Sequence, residues 1–149
     1  YLIIGFTSII SWILAVEKIP ALINDLVISF NISPYLLLFI VNVFILINGM
    51  WISDVAQLLL FAPIFTPIFM EMGVDPVHFG VVMVVNVMIS MITPPYGMAL
   101  YLAAAISGSK LSAIVREALP FLLVSIGVLF LITYVPQLIL FLPKVFGLN

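Results

Sequence analysis

The sequence predicts an all-α integral membrane protein in which spanning helices accompany a re-entrant helical hairpin and a broken helix. The composition indicates the membrane: 66% of the residues are hydrophobic and 7% are charged, whereas soluble domains are about half apolar and a quarter charged. Two interruptions indicate the hairpin and the broken helix. Polar and helix-breaking residues occupy 48–54 and 93–97, each inside an otherwise apolar run.

The composition also excludes several kinds of site. The chain has no cysteine, which excludes disulfides, thiolate metal sites and cysteine nucleophiles. Its four basic and six acidic residues are scattered along 149 positions, so no basic run predicts binding of nucleic acid. Because Tyr1 opens an apolar stretch without an initiator methionine or a basic segment, we expect a fragment of a longer subunit rather than a signal peptide.

The first segment, residues 1–33, is predicted to hold the end of a spanning helix and a short interfacial helix. Residues 1–16 are apolar, and the Glu-Lys-Ile-Pro sequence at 17–20 is expected to end this helix through Pro20 and two charges. Residues 21–33 are too few to span the bilayer. Their apolar side chains recur near helical spacing, which favours a helix lying on the membrane surface.

Residues 34–70 are predicted to form the re-entrant hairpin. The sequence Asn-Gly-Met-Trp-Ile-Ser-Asp at 48–54 separates two apolar runs, each of about 15 residues and therefore short for a full crossing. Pro63 and Pro67 strain the second run further. A hairpin tip at membrane depth is tolerated only where protein or a water-filled cavity covers it, so we expect 48–54 to be covered.

Residues 77–107 are predicted to form the broken helix. A polar turn at 71–76 leads into a half-helix at 77–92, and a second half-helix follows at 98–107. The sequence Thr-Pro-Pro-Tyr-Gly at 93–97 separates the two halves.

The last part of the chain, 108–149, is predicted to contain a connecting loop and the final spanning helix. The loop is expected over 108–118, with a short amphipathic turn. The span is expected to be an uninterrupted helix over 120–143 that Pro136 bends.

Charged residues predict the orientation. Lys110 and Arg116 lie in the predicted loop after the broken helix, whereas Glu71 and Asp75 lie in the turn before it. The positive-inside rule places the loop in the cytoplasm. The turn, the interfacial helix and the C-terminus are then expected on the opposite face.

The paired prolines of the break are expected to free backbone oxygens for a cation. Pro94 and Pro95 have no N–H, so the carbonyls of Ser90 and Met91 lose the donors that a continuous helix would supply. Oxygen atoms at the negative end of a half-helix suit a cation. A lone proline more often only kinks a helix, but two interrupted elements close in sequence are typical of midplane ion sites in transporters.

Asp54 has two candidate roles at the start of the second hairpin arm. An acid inside the membrane is a candidate for handling an ion or a proton. The sequence Asp-Val-Ala-Gln from Asp54 to Gln57 also matches a capping box, and both roles can hold together. Elsewhere, His78 is expected to have a structural role at the membrane interface, and Asn42 to bond a neighbouring helix.

Three stretches resemble the large membrane subunit of TRAP transporters, the tripartite ATP-independent periplasmic carriers. They are LINGMWISDVAQLLLFAPIFTPI, MGVDPVHFGVVMVVNVMISMITPPYGMALYLAAAISG and LPFLLVSIGVLFLITYVPQLILFLP. The resemblance covers essentially the whole chain, which would be roughly the last third of that subunit. Tyr96 departs from the family, in which this position is often small or aliphatic, and is expected to change the lining of the site.

The resemblance implies a function for the whole subunit. TRAP carriers are elevator-type, Na⁺-coupled importers of organic anions, such as C4-dicarboxylates and sialic acids, in the bacterial cytoplasmic membrane. The implied partners are a periplasmic substrate-binding protein, a small membrane subunit, the remaining N-terminal part of the same subunit, the organic anion and membrane lipid. The resemblance implies no enzymatic activity and no cofactor, with Na⁺ as the coupling ion.

The resemblance also implies a role for each element. Residues 34–107 would belong to the moving transport domain, with 48–54 as the tip of the outward-side hairpin and 93–97 as the break that faces it. Residues 21–33 would form an arm helix between moving and fixed parts, and an inverted counterpart of this half would lie upstream. The candidate residues for binding Na⁺ or substrate are Asn48, Gly49, Asp54, Asn86, Ser90, Met91, Thr93, Pro94, Pro95 and Gly97, of which Gly49, Ser90, Met91 and Thr93 would be the direct Na⁺ ligands.

Three other functions have to be weighed against a carrier. An ion channel also uses re-entrant loops and carbonyl oxygens, but no glycine-rich filter sequence is visible. A passive scaffold subunit fits the hydrophobicity and leaves both interrupted elements unexplained. A membrane-embedded hydrolase would need two facing carboxylates, or a serine with a base, and Asp54 has no acidic partner in another predicted span. The sequence therefore favours a carrier.

Overall fold

The computed structural model describes residues 2–95 and 97–147, and every regular element in these two ranges is an α-helix. The predicted all-α fold is confirmed. Helices α4 and α7 are long and apolar enough to cross a membrane, and α1 and α2, which meet at 55°, make a third candidate if they are counted as one span. The helices are α1 (Leu2–Val16), α2 (Ile19–Ser29), α3 (Pro34–Asn48), α4 (Asp54–Glu71), α5 (Pro76–Ser90), α6 (Met98–Ser107), α7 (Leu111–Tyr134) and α8 (Gln137–Val145).

The first segment divides into two helices at Lys18. This residue adopts a left-handed backbone conformation with φ 54°, and α2 begins at the next residue. Pro20 therefore lies in the first turn of α2 and does not end α1 as expected. Proline is tolerated there because the first N–H groups of a helix have no internal acceptor. Both helices pack on α4, where the Ser11 hydroxyl donates to the Leu59 carbonyl at 2.8 Å.

Helices α3 and α4 form the hairpin, and residues 49–53 form its tip. The Phe44 ring of α3 packs edge-on against Phe61 and Phe65 of α4, with ring centroids 5.1 and 6.0 Å apart. The two prolines of the second arm lie inside α4 and do not end it, so this arm is an 18-residue helix, longer than the sequence suggested.

Helix α5 lies at the centre of the molecule and contacts α3, α4, α7 and α8. It begins after Asp75, whose carboxylate accepts from the amides of Val77 and His78 at 2.8 and 3.2 Å. The centroids of the Phe79 ring and of the Phe69 ring of α4 are 4.5 Å apart, and both side chains are buried. Lipid tails are as apolar as these rings, so the contact stabilises the fold through van der Waals packing, and it joins α5 to the second hairpin arm.

The connection between α6 and α7 is shorter than predicted. Most of the expected loop over 108–118 is helical, because α7 begins at Leu111. Gly108 has a left-handed backbone conformation, with φ 66°, at the end of α6. A glycine in this conformation lets the chain leave a helix abruptly, so the chain reverses over 108–110 without a longer loop.

The predicted uninterrupted span over 120–143 is wrong because the helix ends before Pro136. Pro136 has no N–H to offer the Ile132 carbonyl. His78 Nε2 lies 2.8 Å from that carbonyl oxygen, and since a carbonyl only accepts, the ring nitrogen donates. His78 is 3% exposed, so it has a structural role between α5 and the end of α7, and its position at the membrane interface stays a prediction.

Candidate functional site

The hairpin tip and the end of α5 touch through Gly49 and Ser90. Helix α3 ends at Asn48 and α5 ends at Ser90, so the C-terminal ends of two helices meet at this contact. A Cβ atom on Gly49 would lie 2.0 Å from Ser90 Oγ and 2.4 Å from Ser90 Cβ, so glycine is required for this approach. Helix C-termini carry partial negative charge, which makes the contact suitable for a cation.

Gln57 approaches the same contact and is not part of a capping box. Ser53 precedes α4 without a side-chain capping bond, and Asp54 is the first helical residue. Gln57 Nε2 donates across the hairpin to the Ile45 carbonyl at 2.6 Å. Gln57 therefore bonds to a buried carbonyl of α3 and not to the start of α4, so the capping-box prediction is wrong. Gln57 Oε1 lies 2.9 Å from the position of a Cβ on Gly49.

The backbone carbonyls just before the break accept hydrogen bonds from other N–H groups. The Thr93 N–H donates to the Ser90 carbonyl at 3.1 Å, and the Ala99 N–H of α6 donates to the Met91 carbonyl at 3.2 Å. The prediction that the paired prolines leave these two carbonyls without donors is therefore wrong. Each carbonyl oxygen has two lone pairs, so one lone pair on each oxygen is still available to a cation.

Gly97 packs closely against backbone atoms of the residues just before it. Its N–H donates to the Thr93 carbonyl at 3.0 Å. A Cβ on Gly97 would lie 2.8 Å from the Met91 carbonyl oxygen and 3.0 Å from the Thr93 carbonyl oxygen. These two oxygens converge on Gly97, and a side chain there would have to displace backbone atoms.

A cavity of about 60 Å³ lies between the tip and the break. It is lined by the tip, residues 49–53, by Met91 and by the first residues of α4 and α6, which are Asp54 and Met98. One water molecule occupies about 30 Å³ in the liquid, whereas pockets for small organic ligands measure about 300–1,000 Å³. The cavity can therefore hold an ion with a water molecule or two, but not a whole organic anion.

Of the ten predicted site residues, only Gly49, Asp54 and Met91 line this cavity, and the two asparagines bond elsewhere. Asn86 Nδ2 donates to the Asn42 carbonyl at 3.0 Å and to Asn42 Oδ1 at 2.9 Å. Asn42 Nδ2 donates to Thr133 Oγ1 of α7 at 2.9 Å, so the predicted bond from Asn42 to a neighbouring helix is confirmed. Asn48 Nδ2 donates to the Phe44 carbonyl of its own helix at 2.8 Å. Both asparagines bond to helices instead of lining the cavity.

Pro94 and Pro95 belong to the break itself, and the predicted effect of Tyr96 on the lining falls outside the described residues. Over 2–95 and 97–147, no group of three or more His, Cys, Asp and Glu side chains could hold a metal ion. A cation at this contact would be bound mainly by backbone and amide oxygens, which is the ligand set that transporters use for Na⁺.

Sequence reasoning missed Met98 and the position of Gln57. For Gln57 a signal existed, because a single amide precedes the apolar sequence Leu-Leu-Leu-Phe-Ala-Pro-Ile-Phe, and a polar group in such a run usually has a buried partner. Met98 carried no such signal, because its role depends only on where α6 begins.

Comparison with known proteins relates the chain to one transporter family. A family model described as the tripartite ATP-independent periplasmic transporter, DctM component, matches residues 1–138. The C4-dicarboxylate TRAP transporter large permease protein DctM of Pseudomonas aeruginosa is 40% identical over 147 residues, which are 99% of this chain and 34% of that protein. The sialic acid TRAP transporter large permease protein SiaM of Vibrio cholerae is 37% identical over 97% of this chain and 34% of that protein. The isethionate TRAP transporter permease protein DctMQ of Oleidesulfovibrio alaskensis is 32% identical over 93% of this chain and 22% of that protein. The chain thus spans about a third of the length of the first two relatives.

Proposed function

The chain belongs to the DctM-component family of tripartite ATP-independent periplasmic transporters, and we propose that it forms part of the large membrane subunit of a Na⁺-coupled importer of small organic anions. Its location is the bacterial inner membrane, in keeping with its apolar helices. The observation that carries the proposal is the contact of the hairpin tip with the helix break beside a cavity of about 60 Å³.

The proposed substrate class is supported by the relatives and by the helix ends at the cavity. The three relatives carry C4-dicarboxylate, sialic acid and isethionate in their names, and all three are small organic anions at neutral pH. The N-terminal ends of α4 and α6 reach the cavity at Asp54 and Met98. Helix N-termini favour an anionic group; Asp54 already occupies this position at α4, so the N-terminus proposed for the anion is that of α6, which has no acidic residue in its first turn. Because the cavity is too small for the whole anion, the remaining contacts come from the upstream part of the subunit.

Na⁺ is proposed to bind where the C-terminal ends of α3 and α5 meet. Its ligands there are the carbonyl oxygens of Gly49, Ser90, Met91 and Thr93, and Asp54 adds negative charge at the nearby cavity. A cation between two negative helix ends would hold the tip on the break and favour the closed hairpin. It can shift this equilibrium only through a higher affinity for the closed state.

The proposed complex contains three further proteins or parts. A periplasmic substrate-binding protein delivers the anion, a small membrane subunit supports the assembly, and the N-terminal part of the same subunit supplies the inverted counterpart. Residues 34–107 move as the transport domain, and α2 serves as the arm helix. The charges of Lys110 and of Arg116 in the first turns of α7 favour a cytoplasmic position for the connection between α6 and α7.

Uptake by the reconstituted full-length transporter tests this function. Proteoliposomes would receive the binding protein and labelled candidate acids under an inward gradient of Na⁺ or of choline. We expect saturable uptake with Na⁺ and little with choline. Equal uptake in both gradients would contradict Na⁺ coupling, and single-channel currents would favour a channel.

A further inference from the structure

We propose that Gln57 supplies a side-chain oxygen ligand to the cation at the contact between the tip and the break. This inference rests on the proposed function and adds a ligand that the backbone does not provide. Gln57 is 0% exposed, and it belongs to α4, whereas Gly49 and Ser90 mark the ends of α3 and α5. A ligand from Gln57 would therefore join all three helices at one ion.

The Ile45 carbonyl fixes the orientation of the Gln57 amide. The Ile45 carbonyl accepts from Gln57 Nε2 at 2.6 Å and also from the Gly49 N–H at 2.8 Å. A carbonyl can only accept, so the NH₂ end of the amide must face Ile45. The oxygen end must then face Gly49 and Ser90.

Gln57 Oε1 is a buried acceptor without a hydrogen-bond partner among the described residues. A Cβ on Gly49 would lie 2.9 Å from Gln57 Oε1 and 2.0 Å from Ser90 Oγ, so the two oxygens converge on one side of Gly49. The Ser90 hydroxyl already donates to the Val87 carbonyl at 2.6 Å and has no second hydrogen to offer. Buried polar atoms without a partner are rare, and among the described residues Asn86 Oδ1 is the other one. Where two acceptors converge beside negative helix ends, as at Gly49, a cation satisfies both oxygens.

Two substitutions separate a ligand from a purely structural amide. Gln57→Met keeps the approximate volume and removes both the oxygen and the NH₂ group. Gln57→Glu keeps an oxygen toward Gly49 and also removes the NH₂ group that holds Ile45. If Oε1 binds the ion, Gln57→Met weakens Na⁺ binding and Gln57→Glu preserves or strengthens it. If only the bond to Ile45 matters, the two variants behave alike.

The measurement is the Na⁺ dependence of thermal unfolding of the purified full-length transporter, with choline replacing Na⁺ at constant ionic strength. A ligand that binds only the folded state stabilises it by RT ln(1 + [Na⁺]/Kd), so the rise of the midpoint with Na⁺ concentration gives an apparent Kd. We expect Gln57→Met to raise this apparent Kd for Na⁺ about tenfold, as for the loss of one favourable contact. Gln57→Glu should leave it within about twofold of wild type or lower it.

Thr133→Val is the matched control. Thr133 is also 0% exposed and hydrogen-bonded, but its partner is Asn42 and not a residue of the contact between the tip and the break. It should lower the midpoint without changing the apparent Kd for Na⁺. If the wild-type midpoint rises with Na⁺ and the Gln57→Met midpoint rises over the same Na⁺ concentrations, the Gln57 inference fails while the proposed function stands. It also fails if both Gln57 variants weaken the Na⁺ response equally. If wild type shows no Na⁺-dependent shift, Na⁺ coupling fails and the inference fails with it.

Discussion

Two glycines allow close packing at the site, Gly49 between the tip and the end of α5 and Gly97 within the break, and their neighbours differ in kind. A Cβ on Gly49 would meet mainly the side chain of Ser90, whereas a Cβ on Gly97 would meet the carbonyl oxygens of Met91 and Thr93. A side chain can be shortened by a second substitution, but a backbone oxygen cannot. The two sites therefore predict different outcomes for the same change to alanine.

Gly49→Ala should destabilise the full-length transporter by about 1–3 kcal/mol, the usual cost of forcing extra atoms into a packed site. The double variant Gly49→Ala with Ser90→Gly should recover most of this loss, because it removes both Ser90 atoms that the new methyl group would meet. The remaining neighbour, Gln57 Oε1, is the end of a flexible side chain and can shift. Thermal unfolding in Na⁺ measures both variants. Equal losses in the single and double variants would contradict the contact.

Gly97→Ala should destabilise the transporter by at least as much and should also lower Na⁺-driven uptake, because the Met91 and Thr93 carbonyls must move apart. Gly80→Ala is the matched control, since a Cβ there has no neighbour within 4 Å and Gly80 lies inside α5. Alanine at a helix interior position is favoured over glycine by up to about 1 kcal/mol, so this control should be neutral or slightly stabilising. A Gly97→Ala variant that matches Gly80→Ala in stability and uptake would show that the break tolerates a side chain.

The helical elements show which parts of the structure the sequence could predict. The hairpin tip and the break were found because glycine and proline act locally on the backbone. The start of α7 was missed because the abrupt reversal depends on the left-handed Gly108. The end of α7 was missed because Pro136 was expected only to bend the helix. Gln57 was assigned to the wrong partner because Ile45 is a neighbour only after the hairpin closes.

The bond between α5 and the end of α7 carries a prediction of its own. His78→Leu should remove the donor to the Ile132 carbonyl, 2.8 Å away, and cost about 1–3 kcal/mol for the buried acceptor left without a partner. Pro136→Ala restores a backbone N–H four residues after Ile132. In the Pro136→Ala background, His78→Leu should therefore cost clearly less. A double-mutant cycle of unfolding midpoints measures the difference, and strictly additive effects would contradict the bond.

The molecule as a whole combines a buried polar centre with an extensively apolar exterior. Side chains such as Phe121 and Ile106 are 73% and 79% exposed, and their faces suit lipid or the rest of the subunit. The chain covers about a third of the relatives from Pseudomonas aeruginosa and Vibrio cholerae. It contains the hairpin, the break and the contact between them beside a cavity of about 60 Å³.

The accessibility of Met98 provides the most direct measurement of this contact in the full-length transporter. Met98 lines the cavity and is 67% exposed, so a Met98→Cys variant of a cysteine-free subunit can be titrated with a thiol reagent in Na⁺ or in choline. Ile106→Cys, on the same helix but outside the cavity lining, is the control. If Na⁺ holds the tip on the break, Na⁺ should slow modification at position 98 several-fold and leave position 106 unchanged. Equal rates at position 98 in Na⁺ and choline would contradict a cation-dependent closure of the hairpin.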